Sequence, residues 1–80
     1  MKEFQYLLTG MEDGVFQANV WPSSILAGLI AYAGNSGMSD LRVYRLLPHR
    51  EPQPITYRVD AARVWLYDCF GNLIEMFHIE

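Results

Sequence analysis

The sequence predicts an α+β fold in the order ββαββββ, an antiparallel sheet of about five to six strands with one apolar helix packed on it. Three observations predict this. Short runs rich in β-branched and aromatic residues recur along the chain, Gly, Pro and Asp punctuate them, and one stretch, residues 23–33, changes to helical period. Eighty residues suit one domain, residues 1–80, near the lower size limit for a core without disulfides or metals.

Phe4–Leu8 and Val15–Val20 are β-rich runs, separated by Thr9–Gly14 with its Asp-Gly pair, which suits a hairpin. In the second run Phe16, Ala18 and Val20 share one face and Val15, Gln17 and Asn19 the other, so the apolar set is expected to face the helix. Trp21-Pro22-Ser23-Ser24 breaks the ladder. A serine, or Pro22 as the first helical residue, suits the helix start. The helix is expected over Ser23–Ala33, stopped by Gly34-Asn35-Ser36-Gly37, with Ile25, Leu26, Leu29, Ile30 and Ala33 as its broad apolar face.

The opposite helix face holds Ala27, Gly28, Ala31 and Tyr32 and carries no charge. A helix apolar all round is normally buried all round. Either residues 48–54 or a second chain is expected to cover Ala27, Gly28 and Ala31, which with Tyr32 are the oligomer-interface candidates of a homodimer.

Leu41–Leu47 reads as the third strand. Pro48-His49-Arg50-Glu51-Pro52-Gln53-Pro54, with three prolines, reads as a stiff loop unable to pair as a central strand. Ile55–Val59, Arg63–Tyr67 and Leu73–Ile79 complete the sheet, the last two joined by a turn at Asp68–Asn72. In Arg63–Tyr67, Val64 and Leu66 take one face and Trp65 and Tyr67 the other, so aromatic surface is expected on the side away from the helix.

Hydrophobic residues make up 51% of the chain and charged residues 19%, against ~25% charged in ordinary domains. Surplus apolar surface points to a subunit or partner contact, or a ligand groove. The single cysteine, Cys69, excludes an internal disulfide, and Met1–Gln5 show no basic segment leading into an apolar one. A cytoplasmic location and no membrane span are expected. The net charge is −3, with arginines 42, 45, 50, 58 and 63 concentrated in the middle and acids towards both ends.

Catalytic and metal chemistry find little support. His49, His78 and Cys69 lack ligand spacing, and Cys69 and His78 fall out of register across the last hairpin. No glycine-rich phosphate loop precedes the helix. No cofactor, metal or catalytic residue is expected, and the protein is read as not an enzyme. Arg42, Arg45, Arg58 and Arg63, interleaved with Tyr44, Tyr57, Trp65 and Tyr67, would suit a nucleic-acid-binding sheet if they shared one face, though lysine is nearly absent. A structural subunit of a larger assembly is a further alternative.

The segments MEDGVFQANVWPSS and YDCFGNLIEMFHIE, set in a short acidic chain with one helix and an antiparallel sheet, give the whole a format that resembles small phage and mobile-element accessory proteins, anti-CRISPR proteins among them. The resemblance covers length, charge and layout, and carries over no functional residue. It implies a stoichiometric inhibitor that occupies a surface on a larger host complex. On that reading Glu12, Asp13, Asp68 and Glu75 are acidic contact candidates, with Glu80 beside them, and Trp65 and Tyr67 are aromatic anchors.

Overall fold

The computed structural model of the chain describes residues 4–32 and 37–79. Among these are β1 Gln5–Glu12, β2 Val15–Pro22, α1 Ser23–Ala31, β3 Met38–Leu46, β4 Gln53–Asp60, β5 Arg63–Tyr67 and β6 Leu73–His78. The fold is α+β in the expected ββαββββ order. The strands form one antiparallel sheet ordered β2-β1-β3-β4-β5-β6. The expected helix end at Ala33 and the stop signal Gly34-Asn35-Ser36 lie outside the described residues.

The first hairpin is tighter than Thr9–Gly14. Only Asp13 and Gly14 form the turn, with φ of 52° and 80°, the conformation of a two-residue connection whose twist matches its strands. That turn fixes Glu12 opposite Val15 and the register behind it. Tyr6, Leu8 and Gly10 therefore share a face with Gln17, Asn19 and Trp21, while Leu7, Thr9 and Met11 share the other with Phe16, Ala18 and Val20.

The sheet curls around the first of these faces. Helix α1 touches β1, β2 and β5, and the Tyr6 hydroxyl on β1 donates a hydrogen bond to Glu75 Oε2 on β6 at 2.8 Å. Three strands lie between β1 and β6 in the sheet order, so this contact spans the hollow of a concave surface. The core fills that hollow: Tyr6, Leu8, Val43, Ile55, Val64 and Leu66 from the sheet and Leu26, Ala27 and Ile30 from α1.

Three expectations are corrected. The apolar side of β2 does not face the helix: Phe16 and Val20 are 63% and 54% exposed on the convex side, because the core takes the face defined by Tyr6 and Leu8. The helix is not enclosed all round. Its inward stripe is Ser23, Leu26, Ala27 and Ile30, the i, i+3, i+4, i+7 set, so Ala27 packs into the chain's own core, whereas Ile25 and Tyr32 are about half exposed. Residues 48–54 do not cover the helix either. Glu51 and Pro52 border a groove with Leu7, Thr9 and Tyr44 on the convex side, and Gln53 and Pro54 pair with Arg45 and Tyr44 as the start of β4. A proline is tolerated at a strand's first residues, and the β3–β4 ladder is correspondingly short, from Val43 to Arg45.

The helix start also differs. Pro22 is the N-cap, with extended backbone and no side-chain cap. Ser23 is buried, its N–H donating to the Phe4 carbonyl at 3.2 Å, and its hydroxyl has no partner. Gly28 sits mid-helix, and a methyl group there would meet nothing within 4 Å. Gly28→Ala is expected to raise stability by about 0.5–1 kcal/mol, read from chemical denaturation, since alanine removes the entropic penalty of a helical glycine. A loss of stability would mean that a neighbour packs tightly on this face.

Candidate interaction surface

Period-two alternation from β4 to β6 places a coherent set of side chains on the convex face. Arg58 lies opposite Trp65, Thr56 opposite Tyr67, Trp65 opposite Met76 and Tyr67 opposite Leu73. The Arg58 guanidinium stacks over the Trp65 ring, 4.1 Å from its centroid, an attraction worth about 0.5–1 kcal/mol at an exposed site. It covers one face of the indole. Trp65 and Tyr67 are half-buried, Met76 is exposed, and beside them Leu73 and Phe70 are 56% and 80% exposed. A bulge between Leu66 and Tyr67 shifts the β5–β6 register, so Tyr67 pairs with Leu73 across the last turn.

That turn is built by Asp68. Its Oδ1 accepts the N–H groups of Asn72 and Phe70, both at 2.9 Å, and these donors, Asn72 first, hold its carboxyl below the ordinary carboxylate range. A depressed folded pKa contributes stability that is complete above the unfolded value of ~3.9 and is lost as pH falls through the folded one. Thermal melts between about pH 2 and 7 are expected to show Asp68→Ala less stable than the parent at neutral pH and equal to it at the acid end. A constant gap across that range would assign the effect to something other than the carboxylate.

Of the remaining acidic candidates, Glu80 lies outside the described residues and the others are not brought to this patch. Glu75 lies on the concave side, accepting from Tyr6, and burial together with that carboxylate pushes the Tyr6 phenol well above its usual range. Glu12 and Asp13 are exposed at the β1–β2 hairpin, separated from β5 by β3 and β4 in the sheet order. Glu12 borders a cleft of about 230 Å³ with Leu8, Gln17, Asn19, Trp21, Leu29 and Met38, small beside the ~300–1,000 Å³ of ordinary ligand sites. Of the oligomer-interface candidates, Ala27 is core, Gly28 and Ala31 are half-buried and Tyr32 is exposed.

The arginines do not form one patch. Arg42, Arg58 and Arg63 take the convex face, but Asp40 lies 3.8 Å from Arg42, and Asp60 is paired opposite Arg63. Arg45 is on the concave side, its Nη2 donating to Gln53 Oε1 at 2.7 Å and its guanidinium 5.6 Å from the Phe4 ring centroid. The convex face is therefore aromatic and apolar with its charges nearly balanced. Cys69 is exposed and His78 pairs opposite Arg63, at the far end of β5 from it. Among the described residues no group of His, Cys, Asp or Glu is placed to hold a metal ion, and no helix is long and apolar enough to cross a membrane.

Sequence reasoning missed Arg58 as the partner of Trp65, and Phe70 and Leu73 as exposed apolar surface. The Arg58 pairing was signalled by the short Asp60–Arg63 connection, which sets that register. Compared with protein-family models, curated proteins and solved structures, the chain matches none.

Proposed function

We propose that this protein is a non-enzymatic inhibitor that acts by occupying a surface of a larger host complex, with the convex face around Trp65 as its contact. One observation carries the reading: an open sheet face presenting Trp65, Tyr67, Met76 and Leu73 with nearly balanced charge, next in sequence to a turn that exposes Phe70. Aromatic residues, Met and Arg are the types enriched at protein contacts, and charge is depleted at their centres. Arg58 fixes the indole before a partner arrives, which reduces the ordering cost of binding.

The nucleic-acid alternative has one feature in its favour, the Arg58–Trp65 stack on the same face as Arg42 and Arg63. Asp40 and Asp60 interrupt that basic character, whereas a phosphate-tracking groove needs an uninterrupted positive path. The format resemblance to phage accessory proteins makes RNA-guided nuclease complexes the first partners to try. The test is titration of the intact chain against such purified complexes and, in parallel, against fluorescent single-stranded DNA and RNA at low salt. Saturable binding to a protein complex with no oligonucleotide binding is the expected result. Salt-sensitive oligonucleotide binding without any protein partner would overturn the reading.

A further inference from the structure

Strand β2 is an edge of the sheet, and Val15–Pro22 is the one described strand with no charged residue and no histidine. Unpaired edges are normally protected by charges, bulges, internal prolines or a covering segment. The opposite edge, β6, carries Glu75 and His78 and meets its neighbour through a bulge. On β2 the only proline is the last residue, and its ladder with β1 runs without a register shift.

The two-residue turn settles which backbone groups are free to pair. Glu12 and Val15 flank it and exchange both hydrogen bonds, so alternate residues Val15, Gln17, Asn19 and Trp21 bond inward to β1. Phe16, Ala18 and Val20 then aim their N–H and C=O groups outward. Their side chains are exposed on the convex face.

We propose that a second copy of this chain pairs with β2 antiparallel, with Ala18 on the two-fold axis, joining the two sheets into one. In this register Ala18 meets Ala18 of the other copy and Phe16 meets Val20, twice by symmetry, so each outward bonding residue finds a bonding partner and the two exposed apolar side chains cover each other. Gln17 comes opposite Asn19, where two amides can hydrogen-bond on the concave side. Moving the axis to Asn19 would set Phe16 against Pro22, which has no N–H to give. The register with Ala18 at the centre ends its ladder where Pro22 ends it.

Charge complementarity supports the same pairing. Neither a side-chain cap nor an acid in the first turn balances the positive end of the α1 dipole. Continuing the register outward from Ala18 sets Asp13 level with Ser23 of the other copy, so each hairpin brings Glu12 and Asp13 towards the start of the other copy's helix. The acids at one end of a neutral strand and the helix start without an acid at the other are exchanged by the two-fold. The pairing uses β2 and leaves the face around Trp65 open, so it stands or falls independently of the proposed inhibitory contact.

The test is the solution mass of the whole chain by sedimentation up to about 1 mM, where a dimer with Kd near 10 µM would be nearly complete. A mass twice the 9.2 kDa of one chain is expected. Ala18→Lys places like charges on the axis and is expected to weaken association at least tenfold while leaving the melt of the monomer unchanged. The register is read separately by oxidation in a Cys69→Ser background. Bonded antiparallel pairs hold their Cα atoms ~5.5 Å apart, within disulfide reach, so Ala18→Cys is expected to crosslink and Gln17→Cys not. A monomer throughout, or a dimer indifferent to Ala18→Lys, would overturn the proposal, and so would binding of another protein's strand to this edge in place of a second copy.

Discussion

Replacing Tyr6 with alanine is expected to remove about 3–5 kcal/mol, a large share of the protein's stability, and Tyr6→Phe to lower its melting temperature by roughly 10 °C. Tyr6 is fully buried on β1. Truncating a buried aromatic to alanine costs about 3–5 kcal/mol, and here it also removes the donor to Glu75. A domain of 80 residues has about 4–12 kcal/mol of stability in all. The phenylalanine variant isolates the hydroxyl. Hydrogen bonds to charged groups contribute about 1.5–3 kcal/mol, and this one joins β1 to β6 across the concave core, so its loss weakens the closure of the sheet as well as one strand.

The same contact makes an alkaline prediction. The Tyr6 phenol is pushed up, first by burial and then by the Glu75 carboxylate. A raised folded pKa gives stability that is complete below the unfolded value of ~10 and is lost as pH rises above it. The parent is expected to lose stability above about pH 10, and Tyr6→Phe to lack that component. Melting of Tyr6→Phe within about 1 °C of the parent would show that the hydroxyl contributes nothing to closure.

Why Tyr6 could not be singled out from the sequence is a matter of distance along the chain. Period and punctuation made the elements legible: Asp13-Gly14, Pro22, Asp60–Arg63 and Gly71-Asn72 each mark a change that local chemistry dictates. Faces were harder. In β2 the apolar residues Phe16, Ala18 and Val20 suggested a core side, yet the turn at Asp13 and the demands of Tyr6 and Leu8 put them on the surface. A strand whose apolar side faces water is a sign of surface function, and it becomes visible only when the register is known. The helix misled in the opposite sense. Its lack of charge suggested burial all round, but one short helix on a curled sheet buries a single stripe, and Ile25 and Tyr32 stay in water.

The candidate site was legible in part for the same reason. Alternation in β5 put Trp65 and Tyr67 on the face away from the core, where they lie. The acids were scattered because their roles depend on contacts that alternation does not encode. Asp68 closes its own turn, Glu75 answers Tyr6 from the far side of the sheet, and only Glu12 and Asp13 remain as exposed acids on the first hairpin.

For the proposed contact, Trp65→Ala is expected to weaken binding to the protein partner by 30-fold or more, corresponding to a loss of at least about 2 kcal/mol. An aromatic anchor at the centre of a patch loses area on truncation and leaves a hole in the partner's surface. Arg58→Ala should have a smaller effect, about three- to tenfold, because it removes the stack that orients the indole and leaves the indole itself. Arg58→Lys should recover part of the loss, since an ammonium still attracts the ring face but cannot stack on it. Trp65 and Arg58 lie outside the buried core, so circular dichroism is expected to show folded proteins and confine the change to binding. Glu12 and Asp13, separated from β5 by β3 and β4, should tolerate substitution with less than about a threefold loss. Should Trp65→Ala bind as tightly as the parent while charge reversal at Glu12 and Asp13 abolishes binding, the contact lies at the first hairpin and the aromatic face is not the inhibitory surface.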